Sequence, residues 1–394
     1  MSTMTAIGGG LGDAFASSYR EQAENLGRFN LAVFGKTGAG KSSLVNAMFG
    51  HTVAQTGIGK PVTRGTNYYE HPSGIFGVFD CEGFETGQSG DQILASLRQT
   101  VQEYRGKPMT DQMHVAWYVL RWSDRRFEDS QAAFVRELRS IGLPVVFVMS
   151  QVPLLPTGEY HPDAAQLAAE IAAEISDVII EGRVVLTNAF ADPHLGCPVH
   201  GLESLLDVTF RAAPEGVRQA LIAAQRIDLK RKRRICKAIV GGAAATSAGI
   251  GAVPIPLSDA ALLVPAQITM MAAIARQYAL PISASTISNL ALAATGASSA
   301  ATWIGRGLAN LAKFIPGPGT VIGGAVNATI AATLTTAMGM AWVAVCERLA
   351  QLDTTEIEAL LGDGSLIRST FLEAFKEAAR KPLGKDTPGE RDAA

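Results

Sequence analysis

Hydrophobic and polar positions divide the chain into two unlike halves. In the first half, short apolar runs alternate with stretches in which apolar residues recur at helical spacing. The runs Phe29–Phe34, Asn67–Glu70, Ile75–Phe79, Val115–Leu120, Val145–Ser150 and Arg183–Leu186 read as strands. Segments 12–27, 91–105, 130–141, 164–176 and 202–212 read as helices, with a further helix opening near Lys41. Strand alternating with helix predicts an α/β fold, a mostly parallel sheet with helices on both faces. The nearly unbroken run P-V-V-F-V-M suits a central strand buried on both sides.

In the second half the helical pattern persists while the charge disappears. Three uncharged stretches, Ala238–Ser258, Gln277–Gly305 and Phe314–Cys346, are separated only by Asp259, Arg276, Arg306 and Lys313. Pro254 and Pro256 around Ile255 predict a turn between two helices. The expected organisation is a partly helical N-terminal segment at 1–25, its first ten residues disordered, then an α/β nucleotide domain at 26–213. A basic helical linker at 214–235, an all-α hydrophobic domain at 236–380 and a disordered tail at 381–394 complete it.

Composition sharpens this division. Charged residues make up 18% of the 394 residues, below the usual ~25%, and the deficit lies in 236–350. The net charge of −2 implies no nucleic-acid partner. Cys81, Cys197, Cys236 and Cys346 show no paired spacing and read as reduced thiols. The first fifteen residues lack a basic and then apolar leader pattern, and Asp13 interrupts them, so the first half is expected in the cytosol.

The strongest chemical signal is G-K-T-G-A-G-K-S at 35–42, which follows a strand and opens a helix. Gly35, Gly38 and Gly40 let the backbone curl so that N–H groups of Lys36, Thr37, Ala39 and their neighbours point at one anion. Lys41 adds a charge toward the outer phosphates of a nucleoside triphosphate. The Ser42 hydroxyl is placed for Mg²⁺, and Ser43 follows in the first helical turn with its positive dipole end. Asp80 closes a strand and begins D-C-E-G; its carboxylate is expected to hold the metal through water, and the Gly83 N–H to meet the γ-phosphate. Between the two motifs, Thr63 or Thr66 could ligate the metal when the γ-phosphate is present.

The motifs G-K-T-G-A-G-K-S-S-L-V-N-A, G-K-P-V-T at 59–63 and D-C-E-G-F at 80–84 resemble TRAFAC-class P-loop GTPases of the Era-like and dynamin-like kind. With A-V-P-I-P-L-S-D-A-A-L-L-V-P-A-Q at 252–267, the chain is especially similar to bacterial GTPases that carry a C-terminal hydrophobic domain of unknown function, and distantly to immunity-related GTPases. The resemblance implies GTP or GDP as ligand, Mg²⁺ as cofactor, slow hydrolysis in which Lys41, Thr63 and Gly83 take part, and stimulation by head-to-head self-association. Two departures qualify it. The guanine-reading motif is replaced by S-Q-V-P, so Gln151 stands for its Lys and Pro153 for its base-binding Asp. That leaves ATP use open, with Asn188 or Ala189 in the next loop supplying a backbone contact to the base. Phe84 occupies the place of the water-orienting Gln, leaving Lys36, Arg64 or a partner chain for that task, or a scaffold that barely hydrolyses.

Two further patterns carry weaker expectations. His194, Cys197 and His200 have metal-ligand spacing but no second cluster, which favours an ordinary loop near the base. The basic run Lys230–Arg234 abuts uncharged sequence, as a cytosolic flank of an inserted segment would. Val321–Cys346 is the best candidate span, Asp259 becomes a functional residue if it lies in a bilayer, and a tightly packed soluble bundle is the alternative.

Overall fold

The computed structural model describes residues 2–50, 60–63, 66–81, 90–191, 197–251, 259–280, 324–352, 356–357 and 365–380. In chain order the elements are α1 (Ser2–Leu26), β1 (Phe29–Phe34), α2 (Lys41–Phe49), β2 (Lys60–Thr63), β3 (Thr66–Glu70), β4 (Phe76–Cys81), α3 (Gly90–Arg105), β5 (Val115–Arg121), α4 (Asp129–Ser140), β6 (Val145–Ser150), α5 (Pro162–Ile175) and β7 (Ile179–Leu186). The remaining ones are α6 (Leu202–Ala212), α7 (Glu215–Ala224), α8 (Leu229–Gly251), α9 (Asp259–Gln277), α10 (Gly324–Ala350) and α11 (Ser365–Arg380). They form two compact units, a sheet unit of Asn25–Asp228 and a helical unit of Met1–Glu24 with Leu229–Ala394.

The sheet runs β2-β3-β4-β1-β5-β6-β7. Strands β4, β1, β5, β6 and β7 are parallel, and β3 is antiparallel to both β2 and β4. Every residue of β1 and β6 is buried, as their unbroken apolar runs require of strands covered on both faces. On one face Phe34, Tyr118 and Phe147 pack with Phe134 of α4 and Ile171 of α5. On the other, Trp117 meets Phe49 of α2 and donates its indole N–H to Thr209 of α6 at 2.9 Å. The one polar residue of β1, Asn30, is fully satisfied: its amide donates to the carbonyls of Thr110 and Gln112, both at 2.8 Å.

Strand β2 was hidden from sequence by Pro61, which lacks an N–H; the strand tolerates it because it lies at the sheet edge and pairs only with β3. Strand β7 starts four residues earlier than its apolar pattern suggests, because the left-handed pair Glu181 and Gly182 interrupts the alternation. The stretch 214–235, expected as a basic helical linker, holds α7 and the start of α8, parted by a turn. There the buried Gln225 side-chain oxygen accepts from the N–H groups of Ile227 and Asp228 at 2.6 and 2.7 Å. Helix α7 packs on β1 and β4, and the Arg226 N–H donates to the Met48 carbonyl at 2.8 Å, so both belong to the sheet unit.

In the helical unit α10 packs against α8, α9 and α11. Met338, Trp342, Cys346 and Leu349 of α10 are buried with Val240, Met270 and Phe375. Gly339 permits the closest approach: a β-carbon there would stand 2.5 Å from Val240 Cγ2 and 2.9 Å from Met270 Sδ. Helix α1 belongs to this core through Phe15 and Tyr19. The Tyr19 hydroxyl donates to the Leu280 carbonyl, and Arg276 lies 4.8 Å over its ring. Residues 2–10, expected without order, continue α1.

Val321–Cys346, expected as the best candidate span, falls for the most part in α10. Among the described residues no helix is long and apolar enough to cross a membrane. The apolar residues of α10 within Val321–Cys346 are spent on the bundle core, and the threonines interleaved with them lower its hydropathy. The basic run is no simple flank either. Lys232 is buried against the Tyr278 ring, and Arg233 pairs with Glu347, whose carboxylate also accepts from the Tyr278 hydroxyl at 3.0 Å. Burial raises the Cys236 thiol to about 12 and the Cys346 thiol well above its ordinary value, which leaves both protonated and unreactive.

Candidate nucleotide-binding site

The loop between β1 and α2 is held open by backbone geometry that side chains would forbid. Gly35 has φ +140, and a β-carbon there would collide with the Val119 carbonyl of β5. The turn closes through the Ala39 N–H on the Lys36 carbonyl at 3.1 Å, and Gly40, left-handed at φ +86, starts α2. The Lys41 ammonium lies over this loop and donates to the carbonyls of Gly35 and Lys36 at 2.8 and 3.3 Å. Thr37 and Ser43 are exposed beside it.

Two strands bring further groups to the same place. Asp80, near the end of β4, stands opposite Val33 in the parallel register. Lys41, Ser42, Asp80 and Tyr69 line one small cavity whose apolar wall includes Val33 and Val45. Thus the two motifs, 38 positions apart in sequence, meet because β4 lies beside β1. Thr63 ends β2 and pairs with Thr66 across the hairpin. Arg64, Gly83, Phe84 and His194 lie outside the described residues.

The end of β6 braces the loop from the far side. Ser150 Oγ donates to the Ala39 carbonyl at 2.5 Å. Gln151, in the left-handed region at φ 57, donates its amide to the Gly38 carbonyl at 3.1 Å. Gln151 therefore touches the phosphate loop, while Pro153 offers only its backbone carbonyl, which accepts from the His161 N–H at 3.2 Å. Asn188, from which a backbone contact to the base is expected, uses its side chain locally. It is buried, and its amide donates to the carbonyls of Phe190 and Pro198 at 2.6 and 2.9 Å, tying down its own loop. Cys197 and His200 share in that structure, His200 through the Val152 carbonyl at 2.8 Å. No group of His, Cys, Asp or Glu among the described residues is arranged to hold a metal.

Sequence reading missed the polar turn after β5. Its R-W-S-D-R-R-F-E carries three arginines, and Glu128 pairs with both Lys36 of the loop (3.6 Å) and Arg126 (3.3 Å). The clustered charge at a strand end was the available signal.

The sheet order, the glycine-opened loop and Asp80 at the neighbouring strand end define a P-loop nucleotide-binding domain. Within that class, residues 30–151 match the family model described as 50S ribosome-binding GTPase. Residues 218–363 match a domain of unknown function (DUF697). No curated protein matches the chain. Similar solved structures include a probable GTP-binding protein engB, at 16% identity over 46% of this chain and 97% of that one, TM-score 0.32. Another is a variant of Aquifex aeolicus Era bound to GDP and AlF4⁻, at 17% identity over 48% of this chain, TM-score 0.32; the match spans 58% of the Era chain. Era in complex with MgGDPNP and a 16S ribosomal RNA segment matches at 15% identity over 48% of this chain and 58% of that one, TM-score 0.31.

Proposed function

We propose that the sheet unit binds GTP with Mg²⁺ and hydrolyses it slowly, and that its nucleotide state is passed to the helical unit as a switch. The observation that carries this reading is the convergence of Lys41, Ser42 and Asp80 on one cavity at the head of α2. Lys41 neutralises phosphate charge, and the loop N–H groups and the helix terminus share the rest. A hydroxyl and a carboxylate lining one cavity are oxygen donors suited to a hard cation such as Mg²⁺. When bound, that ion would supply positive charge that offsets negative charge on the phosphates. Ser42 would hold it directly, Asp80 through water, and Thr63 in the triphosphate state. The assignment of Gly83 to the γ-phosphate rests on its motif alone. The helical unit would act on a partner protein or a membrane surface in the cytoplasm, and self-association would speed hydrolysis.

Equilibrium binding of a fluorescent GTP analogue tests this reading. Lys41→Ala removes charge-assisted hydrogen bonds and should weaken binding about 10- to 100-fold. Unchanged affinity would sink the reading. A second reading, relaxed base choice that admits ATP or XTP, is favoured by Pro153. Competition of GTP, ATP and XTP against the same analogue separates the two.

A further inference from the structure

Phosphoryl transfer from GTP needs positive charge near the oxygen that bridges the β- and γ-phosphates, because that oxygen gains the electron pair as the bond breaks. Lys41 serves one side of the loop. Near Gly38 of the same loop stands Arg121, the last residue of β5. Its Nε and Nη2 both donate to Asp124 Oδ1, at 3.0 and 2.8 Å, within the tight turn Trp122–Asp124. This pairing fixes the guanidinium plane and commits two of its nitrogens. The third, Nη1, lies 3.9 Å from the point where a β-carbon on Gly38 would sit. Gly38 is left-handed at φ +77 and its carbonyl is taken by Gln151, so its bare α-carbon faces the guanidinium. The Arg121 side chain is 41% exposed, open to a ligand on the loop, whereas Asp124 is 17% exposed. The neighbouring cations are engaged elsewhere: Arg125 with Asp163 and the Trp122 ring, Arg126 and Lys36 with Glu128.

We infer that Arg121 is a catalytic arginine supplied by the chain itself. This deepens the GTPase reading and rests on it. In the step it serves, water attacks the γ-phosphorus, the bond from that phosphorus to the bridging oxygen breaks, and the electron pair stays on GDP. The water's proton ends on the released phosphate. Nη1–H donates to the bridging or γ-phosphoryl oxygen as negative charge accumulates there. Asp124 is the positioning residue that holds the guanidinium, and the Phe at 84 leaves charge stabilisation, rather than water orientation by a side-chain amide, as the larger contribution.

The test compares full-length wild type, Arg121→Ala and Asp124→Asn for GDP affinity, single-turnover GTP hydrolysis with Mg²⁺, and capture of AlF4⁻ by the GDP complex. Arg121→Ala should lower the single-turnover rate at least about 100-fold and abolish AlF4⁻ capture, with GDP affinity within about threefold of wild type. Free guanidinium should restore part of the rate. Asp124→Asn should keep GDP affinity and lose about tenfold in rate. An Arg121→Ala rate within threefold of wild type overturns the inference while the GTPase reading stands. So does a loss of GDP affinity as large as the loss of rate, which marks a collapsed loop. Absence of both binding and hydrolysis in wild type removes the reading and the inference together.

Discussion

At the scale of single residues, His114 shows how the sheet unit fixes a protonation state. Its Nδ1 accepts the Asn30 N–H at 2.8 Å, and its Nε2 donates to the Met109 carbonyl at 2.8 Å. Only the neutral ring satisfies both bonds. Burial also lowers its pKa below the ordinary 6.5, against a smaller opposing effect of the Met109 carbonyl. Above pH 6.5 the ring is neutral both folded and unfolded, and its contribution is complete. As pH falls from there toward the depressed folded value, the unfolded chain binds the proton first and stability is lost. The urea midpoint of the sheet unit should therefore drop between pH 7.5 and 5.5. His114→Gln, which keeps one donor and one acceptor, should flatten that drop; an unchanged slope would exclude His114 as its source.

The elements owe their places to two kinds of constraint. Helix α2 begins where a glycine turn and a strand end require it, and sequence states both. Helix α10 is placed by what it packs against. Its Gly339 lets α8 and α9 approach closely, where a longer side chain would meet Val240 and Met270. Gly339→Leu should destabilise the helical unit by about 1–3 kcal/mol through overpacking, read from chemical denaturation. If the midpoint rises instead, the crossing has slack that these contacts deny. The strand ends were legible to within a few residues where apolar runs were unbroken, as in β1 and β6, and less so where Pro61 or the Glu181–Gly182 kink broke the pattern.

At the scale of the whole molecule, the chain's two units do not follow sequence order. The N-terminal helix completes the core of the helical unit through Phe15 and Tyr19, although more than 200 residues of sheet unit separate it from α8 in sequence. Deleting residues 1–24 should lower the stability of the helical unit by about 3 kcal/mol or more, the cost of emptying aromatic core positions. Nucleotide affinity of the sheet unit should stay within threefold. Calorimetry with parallel nucleotide titration checks both, and an unaltered helical-unit transition would refute the assignment of α1.

The candidate phosphate loop is readable from the sequence because its physics is local. Consecutive N–H groups, glycine torsions and one lysine lie within eight residues, and Asp80 is marked by the strand it ends. The same locality explains why the alternating α/β pattern sufficed for the fold class of the first half. Tertiary structure alone decided the rest. It set Arg121 against Gly38, tied the Asn188 amide to its own loop, and placed α1 in a bundle remote from it in sequence. It also turned the apolar residues of α10 onto other helices. Apolar composition reports that a segment leaves water. It is silent on whether lipid or protein receives it, because the transfer free energy of a side chain into either is similar.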